Sequence, residues 1–329
     1  LQPPRMTVEN SPMFERNRLT ALSALLAAAL ALGCDRGETF VKIDDDEAAP
    51  AVTAEPLDIE LPAAMQETAE QKPEQPSQTP QTPPKFDAKG VSVDLTETVG
   101  FDGVQDAAEL ERWQKVKVVR GAGPLSQGAV ETFAKLPALT EFLWSDAVVD
   151  GASQAALTKL ANAPSLKKLR LTGLKLADSG KFPVEALKAI AAFPALADLD
   201  VSGSPLAAED LAQVDLKSGF PKLTKINLYQ TKIGDAGVDA LMPLADRLTS
   251  LNLDDAGISP VSAPKIAQFS NLTFLHVGRS TLDDESVAMF AKLTKLEKIH
   301  ITRSAATEEG ADALRKALPN CDVVSQPEK

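Results

Sequence analysis

The chain has 329 residues, 44% of them hydrophobic, with 46 Asp and Glu against 34 Lys and Arg for a formal net charge of −12. It is long enough for one large domain or two ordinary ones, and too apolar to be disordered throughout. Two Cys and two His exclude a disulfide-stapled scaffold and a zinc ribbon, and the acidity argues against sequence-independent attraction to nucleic acid or to an anionic membrane surface.

Arg16 and Arg18 precede a run of Leu and Ala from Leu19 to Leu32, which ends at Gly33-Cys34. A charged start followed by such a run is the pattern of a secretory signal. The apolar stretch is shorter than the roughly 20 residues a permanent membrane-spanning helix needs. Residues 1–33 are therefore read as a signal peptide, with translation expected to begin at Met13, where Met13-Phe14-Glu15-Arg16-Asn17-Arg18 makes a compact charged start. Leu30-Ala31-Leu32-Gly33-Cys34 resembles the bacterial lipobox. That resemblance implies cleavage before Cys34 and acylation of its thiol and new amine, with each buried CH2 holding the chain to the membrane by about 0.8 kcal/mol. It also implies a cell-envelope lipoprotein on the exported side of a membrane, whether inner or outer. The alternative is a cysteine that follows an ordinary signal by accident.

From Cys34 to residue 89 the composition turns to Pro, Glu, Gln, Thr and Ala, and residues 35–89 hold 13 acidic and 5 basic side chains. Few apolar groups and high net charge cannot offset the entropy of ordering, so this stretch is expected to be a disordered spacer. As a coil it would reach roughly 40 Å. A Pro-rich ligand for a partner domain is the rival reading, without a sustained P-x-x-P register to support it.

Beyond residue 90 the pattern L-x-x-L-x-L recurs. It begins at Trp113, Leu139, Leu166, Leu196, Leu223, Leu248, Leu272 and Leu296, in steps of 26, 27, 30, 27, 25, 24 and 24 residues. Five residues after each strand's last apolar side chain stands another: Val149, Leu176, Leu206, Ile233, Ile258 and Leu282. Acids recur two further on, at Asp178, Asp235, Asp284 and Glu308, where each could cap a following helix. Apolar pairs at i, i+3 then follow: Phe133 and Leu136, Leu157 and Leu160, Leu187 and Ile190, Leu241 and Leu244, Phe290 and Leu293. Each unit reads as strand, turn and helix.

This repeat resembles the leucine-rich repeat family over residues 90–325, as about eight repeats plus end caps, with a tail at 326–329. The resemblance implies an α/β fold, a curved solenoid with a parallel sheet on its concave side and helices on its convex side. Val91–Leu95 would open the stack and Leu318–Val324 would close it. The family's Asn or Cys after the strand is absent, because Gly121, Ala147, Leu174, Ser204, Thr231, Ala256, Ser280 and Ser304 stand there. Hydroxyl groups are expected to take over part of its hydrogen bonding.

Alternate strand residues point outward. The expected central column is Lys117, Leu143, Arg170, Asp200, Asn227, Asn252, His276 and His300. Lys168 and Arg170 should lie beside Asp198 and Asp200, either as cross-strand charge pairs or as part of a docking surface. The candidate partner-binding set is Arg170, Asp200, Asn227, Tyr229, Asn252, Asp254, Phe274, His276 and His300, with Tyr229 and Phe274 as aromatic anchors. His276 and His300 lack an obvious third ligand on their own strands, so no metal is expected. Phosphate-loop, zincin and nucleophile-elbow motifs are missing, so no catalytic residue and no cofactor is expected. The expected function is non-catalytic binding of an unidentified protein partner. A self-associating structural envelope component is the alternative, and a receptor for a small cell-wall-derived ligand is less favoured because small ligands prefer enclosed pockets.

Overall fold

The computed structural model describes residues 82–326. The signal segment, Met13, Cys34, most of the spacer and the last three residues lie outside them. The strands are β1 (Lys85–Phe86), β2 (Ser92–Asp94), β3 (Val118–Pro124), β4 (Glu141–Val149), β5 (Lys168–Leu171) and β6 (Lys175–Leu176). They continue as β7 (Asp198–Asp200), β8 (Lys225–Asn227), β9 (Ser250–Asn252), β10 (Phe274–His276), β11 (Lys298–His300) and β12 (Asp322–Val324). The helices are α1 (Ala107–Trp113), α2 (Gln127–Ala134), α3 (Gly151–Leu157), α4 (Val184–Ala191), α5 (Ala208–Leu211), α6 (Gly234–Leu241), α7 (Ala263–Ile266), α8 (Asp284–Met289) and α9 (Glu308–Ala317).

From β2 onward the strands form one parallel ladder in chain order, with only β6 set aside, paired with the far end of β4. β1 closes the first edge antiparallel to β2, so the ordered ladder starts upstream of the boundary at residue 90 expected from the repeats. Each ladder strand buries one central side chain: Val93, Val119, Phe142, Leu169, Leu199, Ile226, Leu251, Leu275, Ile299 and Val323. The helical i, i+3 pairs face them and are all buried. Strands sit about 4.8 Å apart while packed helices need 8–10 Å. That mismatch bends the ladder and puts the strand face on the inside.

The first repeat departs from expectation. Val119, not Val116, pairs with Phe142, so the central column opens with Asp94 and Arg120 instead of Lys117. Trp113 is the buried end of α1 and packs against Phe86 and Phe101. The register is set where Gly121 lies opposite Trp144. A Cβ at Gly121 would fall 2.2 Å from the indole, so only glycine lets that ring close over the strand.

From β3 to β11, β6 aside, a left-handed residue stands four positions past the strand's central side chain: Gly123, Asp146, Gly173, Gly203, Gln230, Asp255, Arg279 and Arg303. From Gly173 to Arg279 its N–H donates to the carbonyl of the next repeat, as in Gly173 to Ser202, Gly203 to Tyr229, Gln230 to Asp254, Asp255 to Gly278 and Arg279 to Thr302, at 2.8–3.2 Å. Hydroxyls stand in for the missing Asn at four of the eight positions. Thr231, Ser280 and Ser304 donate to the carbonyl three residues back at 2.7 Å, and Ser204 accepts from Leu174 N–H at 2.9 Å.

The recurrent acids behave differently from expectation. The α-helices with side-chain N-caps take them from Asp106, Ser126, Asp150, Asp283 and Thr307. Asp235 and Asp284 instead reach sideways into the following repeat. Asp235 accepts from Ser259 N–H at 2.8 Å and from the Ser259 and Ser262 hydroxyls, and Asp284 accepts from the Thr307 N–H and hydroxyl at 2.7 Å. Gly310 makes the second staple fit, because a Cβ there would meet the Asp284 carboxylate. Glu308 pairs with Arg315, while α4 behind Asp178 has Pro183 as its uncapped N-cap. Cys321 is half-buried at the closing strand.

Candidate functional site

The nine outward residues chosen from the sequence separate into two groups. Asp200, Asn227 and Asn252 each accept, through a side-chain oxygen, the N–H two residues ahead, at 3.0–3.1 Å. Asp94 does the same for Thr96. This short Asx turn ends the strand, so these side chains are committed to the framework. Arg170 Nε donates to Asp200 Oδ2 at 3.0 Å, and Lys168 stands 3.9 Å from Asp198. The pairing expected between these neighbours is present, and it occupies both Arg170 and Asp200.

In β10 and β11 the same column holds His276 and His300 in place of Asx. The imidazoles pack with centroids 4.7 Å apart, and the Phe274 ring lies 5.7 Å from His300. Asp254 sits beside them with its side chain only 7% exposed. Arg279 reaches back from the turn after β10 to donate through Nη2 to Asp254 Oδ2, and its guanidinium lies over Tyr229 at 4.9 Å. His276 Nε2 is 3.5 Å from the same carboxylate oxygen. Tyr229, Asp254, Phe274, His276 and His300 are thus brought together, while Arg170 and Asp200 stand apart and Asn227 and Asn252 support the neighbouring strands.

Arg279 is the member that strand alternation does not reach, since it belongs to the left-handed turn and not to an outward column. Its signal in the sequence is its alignment with Gly173 and Gly203, where the backbone requires φ near +60° and a long side chain is unusual. Gly278 sets the closeness of the cluster, because a Cβ there would lie 2.7 Å from Thr302 O, 2.9 Å from Asp254 Oδ1 and 3.0 Å from His276 Nε2. Among the described residues, four buried side-chain nitrogen or oxygen atoms lack a hydrogen-bond partner, and three of them are here: Asp254 Oδ1, His276 Nε2 and Arg279 Nε. Such orphans cost about 1–3 kcal/mol each.

Burial is the main force on His276 and lowers its pKa to about 4, with Asp254 opposing and His300 and Arg279 assisting. The ring is therefore neutral at pH 7. Burial likewise pushes Asp198 up, against Lys168 and Lys225. Among the described residues no group of three His, Cys, Asp or Glu side chains could hold a metal ion, and no helix is long and apolar enough to cross a membrane. Two open hollows, of about 400 Å³ by Lys188 and Val214 and about 620 Å³ by Lys89 and Arg112, lie away from the His276 cluster.

A parallel ladder built from units of strand, left-handed turn and helix is the architecture of a leucine-rich repeat solenoid. No protein-family model and no curated protein matches the chain. Similar solved structures include an internalin from Listeria monocytogenes at 18% identity, covering 69% of this chain and 59% of that one with a TM-score of 0.44. Internalin C2 from the same organism is 17% identical, with 66% and 83% covered and a TM-score of 0.45. A Bacteroides fragilis protein is 18% identical, with 68% of each chain covered and a TM-score of 0.42. The match spans less than two thirds of the first internalin's length.

Proposed function

We propose that this chain is a lipid-anchored, non-catalytic protein-binding module on the exported side of a bacterial membrane, and that it binds through the strand face from β8 to β11. The observation that carries the binding surface is the half-exposed cluster of Tyr229, Phe274, His276, Arg279 and His300 on a backbone locked repeat to repeat. Aromatic and arginine side chains contribute most where they dock. A surface already held in place loses little freedom on binding. The open ladder offers width without an enclosed cavity, which suits a protein better than a small ligand. The anchor rests on the lipobox-like segment ending at Cys34 and on the acidic spacer that follows it.

The test is capture from a cell-envelope extract on immobilised full-length chain, beside the double variant Tyr229→Asp with Phe274→Asp. A protein retained by the unmodified chain and lost by the variant, with melting temperatures within a few degrees of each other, supports the module. Recovery of only the chain itself, or of wall material equally on both, would favour a self-associating structural role.

A further inference from the structure

One carboxylate on the strand face stands between two side chains that can both be cations. Asp254 Oδ2 accepts from Arg279 Nη2, and the same oxygen lies 3.5 Å from His276 Nε2. That contact is too long for a good hydrogen bond, and His276 Nε2 has no other partner among the described residues. With the ring neutral, one enclosed anion is matched by one cation. Gly278 keeps the three groups close, because its missing side chain leaves Asp254 Oδ1 and His276 Nε2 within 3.0 Å of a single point.

A proton added to His276 upsets that balance. The imidazolium carries N–H on both ring nitrogens and becomes a second cation on Asp254, with Arg279 beside it and the His300 ring 4.7 Å away. Asp254, His300 and Arg279 are the charged and titratable groups that act on the ring, from the turn after β9, from β11 and from the turn after β10. Tyr229 and Asp255 act on Arg279 in turn, while Lys298, further along β11, pairs with Asp322 at 3.4 Å. Two cations around one enclosed carboxylate repel each other with little water to screen them. They differ in their freedom to relieve it. His276 sits in β10 between β9 and β11, with its side chain 19% exposed. Arg279 leaves a turn on a long stem, is 32% exposed, and holds Asp254 through Nη2 while its Nε has no partner. Exposed Asp255 is close enough for its charge to act on the guanidinium, and so offers it a place at the rim.

We propose that Asp254 is the pivot of an acid-driven exchange: when His276 takes a proton it claims the carboxylate, Arg279 leaves for the rim beside Asp255, and the ring of Tyr229 is uncovered. The strand face then has two arrangements, one with the guanidinium closed over Tyr229, as in this structure, and one with it open. A local charge change biases the choice between them. The exchange needs no partner, so it goes beyond the binding reading and stands or falls apart from it.

Tyr229 is the only tyrosine of the chain, and His276 and His300 are its only histidines. The full-length chain with isotope-labelled tyrosine and histidine rings therefore gives separately readable NMR signals, and His276→Gln and His300→Gln assign the two imidazoles. As the pH is lowered from neutrality through the titration of His276, the Tyr229 ring signal is expected to move in one step with the His276 midpoint. That movement should be lost in His276→Gln. It should be lost in Arg279→Gln as well, with the ring signal standing from neutral pH where the unmodified chain arrives in acid. The indole N–H signals of Trp113 and Trp144, in the first repeats, should hold their places throughout. A Tyr229 signal that stays still while His276 titrates would mean that Arg279 keeps its seat, and would overturn the exchange. So would a movement that persists in Arg279→Gln, which would be the field of the imidazolium alone, or one that coincides with collapse of the tryptophan signals, which would be unfolding. The unmodified chain and His276→Gln decide between these outcomes even if Arg279→Gln does not fold.

Discussion

His276 is a base kept neutral by burial, and that has a sign for stability. Its pKa is about 4 in the folded chain against an ordinary 6.5, so between those values the unfolded chain holds the proton and the folded chain does not. Stability is therefore full above pH 6.5 and falls as the pH drops toward 4, by about 1–2 kcal/mol once solvent screening is allowed for. Asp150 and Asp283, whose pKa values are depressed by hydrogen bonds from Ser153 and Ser286, lose their contributions only lower, below pH 3.8. Chemical denaturation at pH 7 and pH 4.5 should show the fall in the unmodified chain and a much smaller one in His276→Gln. An equal fall in both would show that the imidazole is not the group responsible. Alternation along the strands made His276, His300, Asp254, Phe274 and Tyr229 legible as outward residues. It could not tell that Asp200, Asn227 and Asn252 turn back on their own backbone, because that depends on side-chain direction after the strand has ended.

Among the elements, the repeat's helices and strands were readable wherever one apolar period was unambiguous. The first repeat was not, since Val116 and Val119 both satisfy the template and only the indole of Trp144 over Gly121 chooses between them. The recurrent acids were visible, but their direction was not. Asp235 reaches the Ser259 and Ser262 of the next repeat across 24 to 27 residues of sequence, a contact that only stacking creates. Burial pushes its pKa up, and the hydrogen bonds from Ser259 and Ser262 outweigh that and hold it below the ordinary value. Asp235→Ala leaves those donors without their charged acceptor and should cost about 2–3 kcal/mol, read as a lower urea midpoint. Asp239→Ala in the same helix, which loses only a surface pair with Lys265, should cost less than about 1 kcal/mol. Equal losses would mean that Asp235 is not a staple.

For the whole molecule, the periodicity that exposed the solenoid says nothing about where the chain resides. The anchor is a separate claim resting on Cys34, and its prediction belongs at this scale. Cys34→Ala should yield a longer species without acyl mass that leaves the membrane fraction, read by intact mass and fractionation. An unmodified mature chain that begins beyond residue 34 without acyl mass would remove the anchor.

The backbone hydrogen bonds between repeats run in opposite senses at the two ends of the strands: the left-handed residues from Gly173 to Arg279 donate to the repeat after them, while Thr224, Thr249, Thr273 and Glu297 at the strand entries donate to the repeat before. Gripped at its far end, the stack would peel like a strip of overlapping tiles, each departing unit taking acceptors away at the turn edge and donors away at the entry edge. Gripped at its near end, the strip would lift donors at the turn edge and acceptors at the entry edge, with the β1–β2 hairpin first in line. Each edge of such a domain has its own grain, and pulling from one end or from the other exchanges their roles.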